Sequence, residues 1–240
     1  MRTWEWMSVP ILMYHAVLPI DATERVRGTV PLATFRAQIG WLSRRGYRTL
    51  TLDEVGGVLA GTAAAAPARS VALTFDDGYR CVIEHALPVL EEFGLTATLF
   101  VVTDAVDRTT NWYGPKGGRP FEHASWDELA RAASRGFAIG SHSVSHVRLA
   151  NSSPDEVAEE LCTSREVIEK RLGPCHHFAY PFGSHSDATV TAVERAGYRT
   201  ACTTQAGTNP PGQPLLRLRR QTVSRNTTGG RFRRNAGSWF

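Results

Sequence analysis

The chain of 240 residues carries a formal net charge of +4, with 42% hydrophobic and 21% charged residues. This composition is ordinary for a globular protein and excludes an intrinsically disordered chain, and the length suits one compact domain. The excess arginines lie near the C-terminus without a recognisable nucleic-acid-binding module, so we predict no nucleic-acid partner.

The N-terminus and the cysteines bear on the cellular compartment. The first ten residues, MRTWEWMSVP, lack the apolar stretch of about 7–15 residues and the cleavage site of a secretory leader. No run has the length of a transmembrane helix. The protein as written is therefore expected in the cytoplasm, or outside the cell or at its surface if a leader has been removed. The four cysteines lack CxxC spacing and are expected to be buried free thiols, with a disulfide as the alternative.

Strand-like and helical patterns alternate from the N-terminus onward. We predict a strand at Val9–Tyr14, a helix at Leu32–Arg45, a short strand at Tyr47–Thr51 and a helix at Leu52–Ala60. The Ala-rich segment Gly61–Ser70 is interpreted as a linker within one domain.

The alternation continues through the middle of the chain. We predict a strand at Val71–Phe75, a helix through Ala86–Phe93 and a strand at Ala97–Val102. The segment Thr103–Ala124 is a long loop, and loops above about 12–15 residues are usually functional or disordered. Three aromatic residues flank this loop and could stack on a sugar ring or simply pack: Trp112, Tyr113 and Trp126.

Capping signals mark the later helices. Ser125 and Glu128 have the spacing of a capping box, and Ser153 begins a helix that runs to Leu172. The remaining elements are predicted as a strand at His177–Tyr180, a helix at Ser186–Ala196 and a strand at Tyr198–Thr203. Strands that alternate with helices predict a parallel α/β architecture, although periodicity does not separate an open sheet from a closed barrel.

Two adjacent carboxylates follow the strand Val71–Phe75. Asp76 and Asp77 point to opposite faces of a continuing strand, so they can serve one pocket only if the strand ends there. Gly78 allows a sharp turn at this point. Polar groups at the end of a strand in an α/β scaffold lie where active sites are built, so we predict a site that contains both aspartates.

A second apolar run, Phe137–Gly140, leads into His142 and His146. Two histidines near a turn are often surface residues. One carboxylate with two imidazoles, however, forms a three-ligand set that leaves a divalent metal open to water and substrate, and the second carboxylate is then free to act as a base. Mixed nitrogen and oxygen ligands suit zinc, cobalt, nickel or iron, and the ligand set does not choose among them; zinc is taken as the first expectation. The pattern predicts a metal-dependent hydrolase.

Four segments stand in a fixed order: ILMYH at residues 11–15, TFDDGY at 74–79, HSVSH at 142–146 and FAYPFG at 178–183. This ordered set resembles the polysaccharide deacetylases, the family built on the NodB homology domain (carbohydrate esterase family 4), and is most similar to the poly-N-acetylglucosamine deacetylase branch. Each motif alone is a weak signal, whereas the ordered set is specific.

The resemblance also implies a fold and a division of the chain. The fold it implies is an irregular (β/α)7 barrel in a single α/β domain. The catalytic domain would occupy residues 10–223, after an N-terminal extension at 1–9 and before a basic C-terminal tail at 224–240.

The roles of four residues are implied by the same resemblance. Asp76 would be the general base, and Asp77, His142 and His146 would hold the metal ion. In this branch the histidine of MYH, His15, stands in for the C-terminal histidine that most members use as general acid. No LxH segment follows the FAYPFG motif. We therefore predict His15 as the acid, with a core or rim histidine bonded to a backbone carbonyl as the alternative.

We predict that three residues contribute to substrate binding: Tyr180, Phe182 and Arg220. Phe182 aligns with a family residue whose backbone N–H faces the oxyanion. Ala179 stands where the wider family has an arginine that orients the base. Arg220 is the candidate for that contact, and a solvated basic run is the alternative. We interpret the remaining five histidines as structural or surface residues: His85, His123, His176, His177 and His185.

The leading hypothesis is hydrolytic removal of N-acetyl groups from an N-acetylated sugar or glycan, which releases acetate and a free amine. One alternative is a cytoplasmic deacetylase or amidase that acts on a small glycoconjugate or another amide in biosynthesis. A third is a barrel that binds glycan without turnover. The presence of Asp76, Asp77, His142 and His146 together disfavours this last interpretation.

Overall fold

In the computed structural model the described residues are 8–21, 24, 26–112, 114, 119–227 and 229–237. Most of the predicted N-terminal extension, residues 1–7, therefore lies outside the described residues. Among the described helices, none combines the length and the apolar character that crossing a lipid bilayer requires.

A parallel sheet forms the centre of the molecule. Its strands and the shorter ones around it are β1 (Ile11–Tyr14), β2 (Ala16–Leu18), β3 (Thr29–Pro31), β4 (Arg48–Thr49), β5 (Ser70–Phe75), β6 (Ala97–Val101), β7 (Thr109–Thr110), β8 (Phe121–Glu122), β9 (Phe137–Ser141), β10 (His177–Ala179), β11 (Thr200–Cys202) and β12 (Gln221–Thr222). Seven strands follow one path in the order β11-β10-β9-β6-β5-β1-β12, and β4 pairs with β5 beside it. Every pair within this sheet is parallel.

The segment after β11 brings the two edges of the sheet together. The backbone N–H of Leu218 donates to Ala201, and that of Thr203 donates to Leu218 in return, at 2.9 and 2.8 Å. A few residues later the N–H of Val223 donates to Met13 of β1. The sheet is thus curled into an irregular parallel β/α barrel, which confirms the predicted fold class.

Seven α-helices flank the strands within the described part of the chain. They are α1 (Leu32–Arg44), α2 (Leu52–Ala60), α3 (Leu87–Glu92), α4 (Trp126–Ser134), α5 (Pro154–Leu172), α6 (Asp187–Arg195) and α7 (Gly229–Asn235). The predicted capping box at Ser125 and Glu128 begins α4, and equivalent boxes at Thr51 and Ser153 begin α2 and α5. These side chains satisfy backbone N–H groups that a helix start otherwise leaves without partners.

Alternating side chains of the strands pack into two apolar layers. Leu12 and Leu73 join α1 in the larger cluster, whereas Ile11, Ala72 and Phe100 belong to a second cluster that includes residues of α2. A Cβ at Gly140 of β9 would lie 2.7 Å from the Phe100 ring. A glycine at this position therefore lets the phenylalanine ring fill the space beside β9. Burial on both faces makes the strands continuous hydrophobic runs, as parallel sheets require.

The structure extends the sequence prediction at several places. The first strand begins at Ile11, because Pro10 has no N–H to give to a neighbouring strand. The short parallel pair of β2 and β3 was not predicted, and neither was the antiparallel pair of β7 and β8 inside the predicted loop. A π-helix at Val82–Ala86 runs directly into α3, so this helical segment starts earlier than expected.

Part of the predicted basic tail is folded. Helix α7 places Phe232 in a buried position against Trp41 of α1, with ring centroids 6.0 Å apart. The side-chain amide of Gln38 donates to the carbonyl of Thr227 at 2.7 Å. Residues beyond Val223 therefore contribute to the packing around α1.

The four cysteines are free thiols, buried at three positions and exposed at Cys162.

Candidate active site

The two adjacent aspartates lie at the carboxyl end of β5. The turn that follows begins at Asp77, one residue before Gly78, where the sequence predicted it. Asp77 itself adopts a φ of 76°, and Gly78 follows with a φ of 74°. A non-glycine residue in this left-handed region is uncommon and costs free energy, so surrounding contacts must hold Asp77 in this conformation. The reversal at Asp77 ends the strand alternation and lets both carboxylates line one cleft.

Asp77 lies between two imidazoles. Its Oδ1 atom is 3.5 Å from Nε2 of His142 and 3.4 Å from Nε2 of His146. One ligand atom from each of the three residues lies within 4.8 Å of the other two. All three side chains are nearly inaccessible to solvent. A carboxylate and two imidazoles converge here in the way that a three-ligand metal site requires.

The electrostatics of this cluster agree with a cation site. Burial opposes ionisation of Asp77, but hydrogen bonds with His142 and His146 outweigh burial and hold its pKa well below the usual range. Burial lowers the pKa of His146, which favours the neutral ring that binds metals. The pKa of His142 is raised, because Asp77 and Asp76 together outweigh burial. The carboxylate of Asp77 therefore needs a positive partner, and a divalent ion among these donors fits that need.

The two histidines are supported differently. Nδ1 of His142 lies 2.7 Å from the carbonyl of Ala179 and donates its proton there, so Nε2 is the ring atom that would bind a metal. Nδ1 of His146 has no hydrogen-bond partner among the described residues. Its ring is instead stacked on Trp112 at a centroid distance of 4.1 Å and contacts Phe182 at 4.5 Å.

Asp76 is paired with a buried arginine. The guanidinium of Arg220 donates to both carboxylate oxygens at 2.7 Å, and it also donates to the carbonyl of Thr203 and the hydroxyl of Thr74. Burial alone would raise the pKa of Asp76, but Arg220, with His142 and His15, holds it below the ordinary value. Asp76 is thus kept ionised at one edge of the metal-type cluster.

Replacement of Arg220 by methionine is expected to destabilise the fold by about 3–5 kcal/mol, because it leaves the charge of Asp76 buried without its partner. Without this arginine the pKa of Asp76 is expected to rise, because the carboxylate loses its cationic partner. Urea unfolding and an NMR titration of the Asp76 carboxyl group measure the two effects. The exposed neighbour Arg219, replaced in the same way, is the matched control. An unchanged pKa of Asp76 in the Arg220 variant would contradict this role.

His15 and Asp76 lie side by side. In the register of β1 and β5, Tyr14 is opposite Phe75, and the N–H of Asp76 donates to the carbonyl of Tyr14 at 3.0 Å. The residues that follow these two strands therefore leave the sheet at the same level. His15 and Asp76 line the same cleft. The volume of this cleft is about 280 Å³.

Aromatic and basic side chains form the walls of the cleft. Phe182 is 46% exposed and has a φ of 57°, which turns its backbone sharply at the end of β10. The guanidinium of Arg148 lies 4.1 Å from the centroid of the Phe182 ring. Trp112 and Arg27 also line the cleft. Tyr113 lies outside the described residues. Trp126 contacts Arg171 of α5 and is not among the residues that line this cleft.

The three predicted substrate-binding side chains differ in where they lie, and Tyr180 differs from expectation. Tyr180 is fully buried, and its hydroxyl donates to the carbonyl of Leu216, so its ring packs inside the protein. Arg220 is also fully buried and makes the contact with the Asp76 carboxylate for which it was the candidate, so it is not part of a solvated basic run. Burial keeps both side chains from direct contact with a glycan. Phe182 alone of the three lines the cleft.

His123 supports Asp77, although the sequence pattern gave it only a structural or surface role. Its ring is buried, with Nδ1 2.9 Å from the backbone carbonyl of Asp77 and Nε2 2.7 Å from the hydroxyl of Thr110. Burial lowers its pKa to about 4, so the ring is neutral and donates from Nδ1 to the carbonyl. No local signal identifies this contact, because it joins a long loop to a distant strand end.

The other histidines lie away from the cleft lining. His177 contacts Thr200 at 2.9 Å and faces Asp53, at the amino end of β10. His185 contacts the carbonyl of Gly183 and packs against Tyr180.

A parallel β/α barrel with a buried Asp-His-His set and a second carboxylate at one rim is an arrangement suited to hydrolysis.

Comparisons with known proteins identify the family. The model of the polysaccharide deacetylase family matches residues 63–201. The family protein YxkH of Bacillus subtilis is 30% identical over 235 residues, which cover 96% of this chain and 77% of that protein. The Staphylococcus epidermidis poly-beta-1,6-N-acetyl-D-glucosamine N-deacetylase is 25% identical over 202 residues, 79% of this chain and 66% of that protein. The chain belongs to the polysaccharide deacetylase family.

A solved structure agrees with this assignment. The deacetylase PplD of Streptococcus pyogenes, in complex with acetate, matches with a TM-score of 0.83 and 26% identity. The match covers 95% of this chain and 98% of that one. The resemblance predicted from the four ordered motifs is therefore confirmed.

Proposed function

We propose that this protein is a metal-dependent hydrolase that removes N-acetyl groups from an N-acetylated sugar or glycan, releasing acetate and a free amine. The observation that carries the proposal is the convergence of Asp76, Asp77, His142, His146 and His15 on one cleft at the carboxyl rim of the barrel. Membership of the polysaccharide deacetylase family supports the reaction class. The names of two relatives, a poly-N-acetylglucosamine deacetylase and a deacetylase complexed with acetate, support the substrate class.

In the proposed site Asp77, His142 and His146 hold one divalent ion, for which zinc suits the nitrogen and oxygen donors. Such an ion supplies a Lewis acid for the acetyl carbonyl and lowers the pKa of water at the site. Nδ1 of His142 stays protonated through Ala179, which keeps Nε2 directed at the site.

Asp76 is proposed to act as the general base. Its carboxylate is held ionised by Arg220, and each oxygen keeps a lone pair beyond the one that Arg220 occupies. It accepts the proton of the water that attacks the acetyl carbon. His15, beside it in the cleft, then donates a proton to the nitrogen as the C–N bond breaks. The products are acetate and the amine.

The walls of the cleft are proposed to select a sugar. Phe182 and Trp112 are partly exposed aromatic residues that both contact the His146 ring, and such rings stack on the apolar faces of pyranose units. The residue before the turn, Pro181, and the left-handed conformation at Phe182 fix the direction of that ring. Phe182 is exposed, so a sugar can reach its ring from the solvent.

The proposal is tested first by metal analysis of the purified protein. Wild-type protein is expected to bind one equivalent of zinc and to release acetate from an N-acetylglucosamine oligomer. Replacement of His142 by alanine removes one of three ligands, so stoichiometric zinc binding and acetate release should both be lost. His185→Ala is the control, because His185 lies outside the cleft lining. Unchanged zinc content in the His142 variant would refute the proposed ligand set.

A further inference from the structure

The turn that carries His146 is held in place by helix α5. One carboxylate oxygen of Glu160 accepts the backbone N–H groups of Val144 and Ser145 at 2.8 and 3.0 Å. The hydroxyl of Ser145 donates to the other oxygen. Two successive N–H groups directed at one carboxylate form an anion-binding concavity of the kind called a nest. Glu160 thus accepts three hydrogen bonds from Val144 and Ser145.

The same turn contains two residues in an unfavourable backbone conformation. Ser143 and His146 have φ values of 68° and 61°, in the left-handed region that residues with a Cβ rarely adopt. Such conformations persist only where surrounding contacts fix them. The two residues bracket the pair of N–H groups that Glu160 accepts, so the carboxylate supports the strained segment at its centre.

A second residue of α5 contacts the start of the turn. Ser164, one helical turn after Glu160, is fully buried, and its hydroxyl lies 2.8 Å from that of Ser141. The spacing of four residues puts both side chains on one face of α5. The hydroxyl of Ser141 in turn accepts the N–H of Ser143 at 3.2 Å. The helix therefore holds both ends of the segment between the two histidines.

His146 depends on this support more than His142 does. The ring of His142 is oriented by the carbonyl of Ala179, whereas Nδ1 of His146 has no such partner among the described residues. The position of the His146 ring is therefore set by its backbone and by stacking on Trp112 and Phe182.

From these contacts we infer that Glu160 is a positioning residue of the metal site. Its carboxylate fixes the backbone of the Ser143–His146 turn, and through it the direction of the His146 imidazole. The inference rests on the proposed function, because it takes Asp77, His142 and His146 as ligands. It adds a residue of α5 that none of the four sequence motifs contains.

The test compares zinc affinity in Glu160→Gln, Glu160→Asp and the control Glu159→Gln. Glutamine keeps the size of the side chain but has a single acceptor oxygen, and aspartate keeps the charge but is one methylene shorter. Glu159 is the exposed neighbour on the same helix. Residues that orient metal ligands typically contribute about 10–100-fold to metal affinity, and we expect a loss of this size in both Glu160 variants.

Two measurements separate positioning from a general loss of stability. Zinc affinity is measured by competition with a chelator, and melting temperatures are measured with and without zinc. Because a ligand raises the melting temperature according to its affinity, the zinc-induced increase should be smaller in both Glu160 variants than in the Glu159 control. This increase is compared within each variant, so a lower melting temperature of the metal-free protein does not affect it.

Wild-type zinc affinity in both Glu160 variants would overturn the inference while leaving the proposed function intact. Absence of zinc binding in the wild-type protein would refute the metal site itself, and the inference with it. A loss in Glu160→Asp as well as in Glu160→Gln would show that the reach of the carboxylate matters in addition to its charge.

Discussion

Replacement of Asp76 by asparagine is expected to lower kcat for N-acetyl hydrolysis by about 10²–10⁴-fold, the usual contribution of a general base. Asparagine keeps the shape of the side chain and one oxygen that can accept from Arg220, but it cannot take a proton from water. Since Asp76 lies outside the set Asp77, His142 and His146, the zinc content should remain at the wild-type level. Acetate release and metal analysis on the same preparation check both parts.

The matched variant Asp77→Asn should lose zinc as well as turnover. It removes the charge between the two imidazoles, so zinc affinity falls, and turnover falls because the metal is lost. If Asp76→Asn lost the metal and Asp77→Asn kept it, the two roles would have to be exchanged. Equal loss of metal in both variants would refute the separation of base and ligand.

The pH dependence of the wild-type protein follows from the same environment. The pKa of Asp76 is held below its ordinary value, so the base is ionised at neutral pH and loses its charge only as the pH falls through that lowered pKa. The ion pair with Arg220 likewise contributes to stability above the pKa of an unfolded aspartate, and this contribution is lost as the pH falls through the folded pKa.

The parts of the site that the sequence predicts are those encoded by adjacent residues. Asp76, Asp77 and Gly78 follow an apolar run, and His142 follows another, so local patterns place them at strand ends. Parallel strands bring their carboxyl ends to the same rim, so their meeting follows from the alternation of strands and helices. The ordered motifs supplied the assignment of roles, which spacing alone did not provide.

The parts that the sequence did not predict depend on contacts between distant segments. Glu160 is one of many charged residues in α5, and a sequence pattern of this kind predicts a solvent-exposed side chain. The residues next to it in the sequence do not indicate that it accepts N–H groups from the turn after β9. Tyr180 follows a motif that suggested a substrate contact, but its ring is directed inward because its hydroxyl finds the carbonyl of Leu216. The contact of His123 with the backbone of Asp77 was likewise identified only by the folded structure, whereas the contact of Arg220 with Asp76 was expected from the sequence.

Removal of the imidazole at His15 is expected to lower kcat on an N-acetyl amide by about 10²–10⁴-fold, because an amine leaves poorly until it is protonated. His15 follows the strand paired in register with β5, so it stands beside Asp76, and the described residues place it in the cleft rather than in the core. His15→Ala should leave the zinc content unchanged, because His15 is outside the ligand set.

The role of His15 as an acid is separated from a role in binding by the choice of substrate. An aryl acetate releases a phenolate that needs little protonation, so the loss caused by His15→Ala should be much smaller on this ester than on the amide. Equal losses on the two substrates would mean that His15 is not the acid. The control His185→Ala should leave both rates near the wild-type values, because His185 contacts Gly183 and Tyr180 away from the cleft lining. If His185→Ala instead lost only the amide reaction, the proton donor would be assigned to His185.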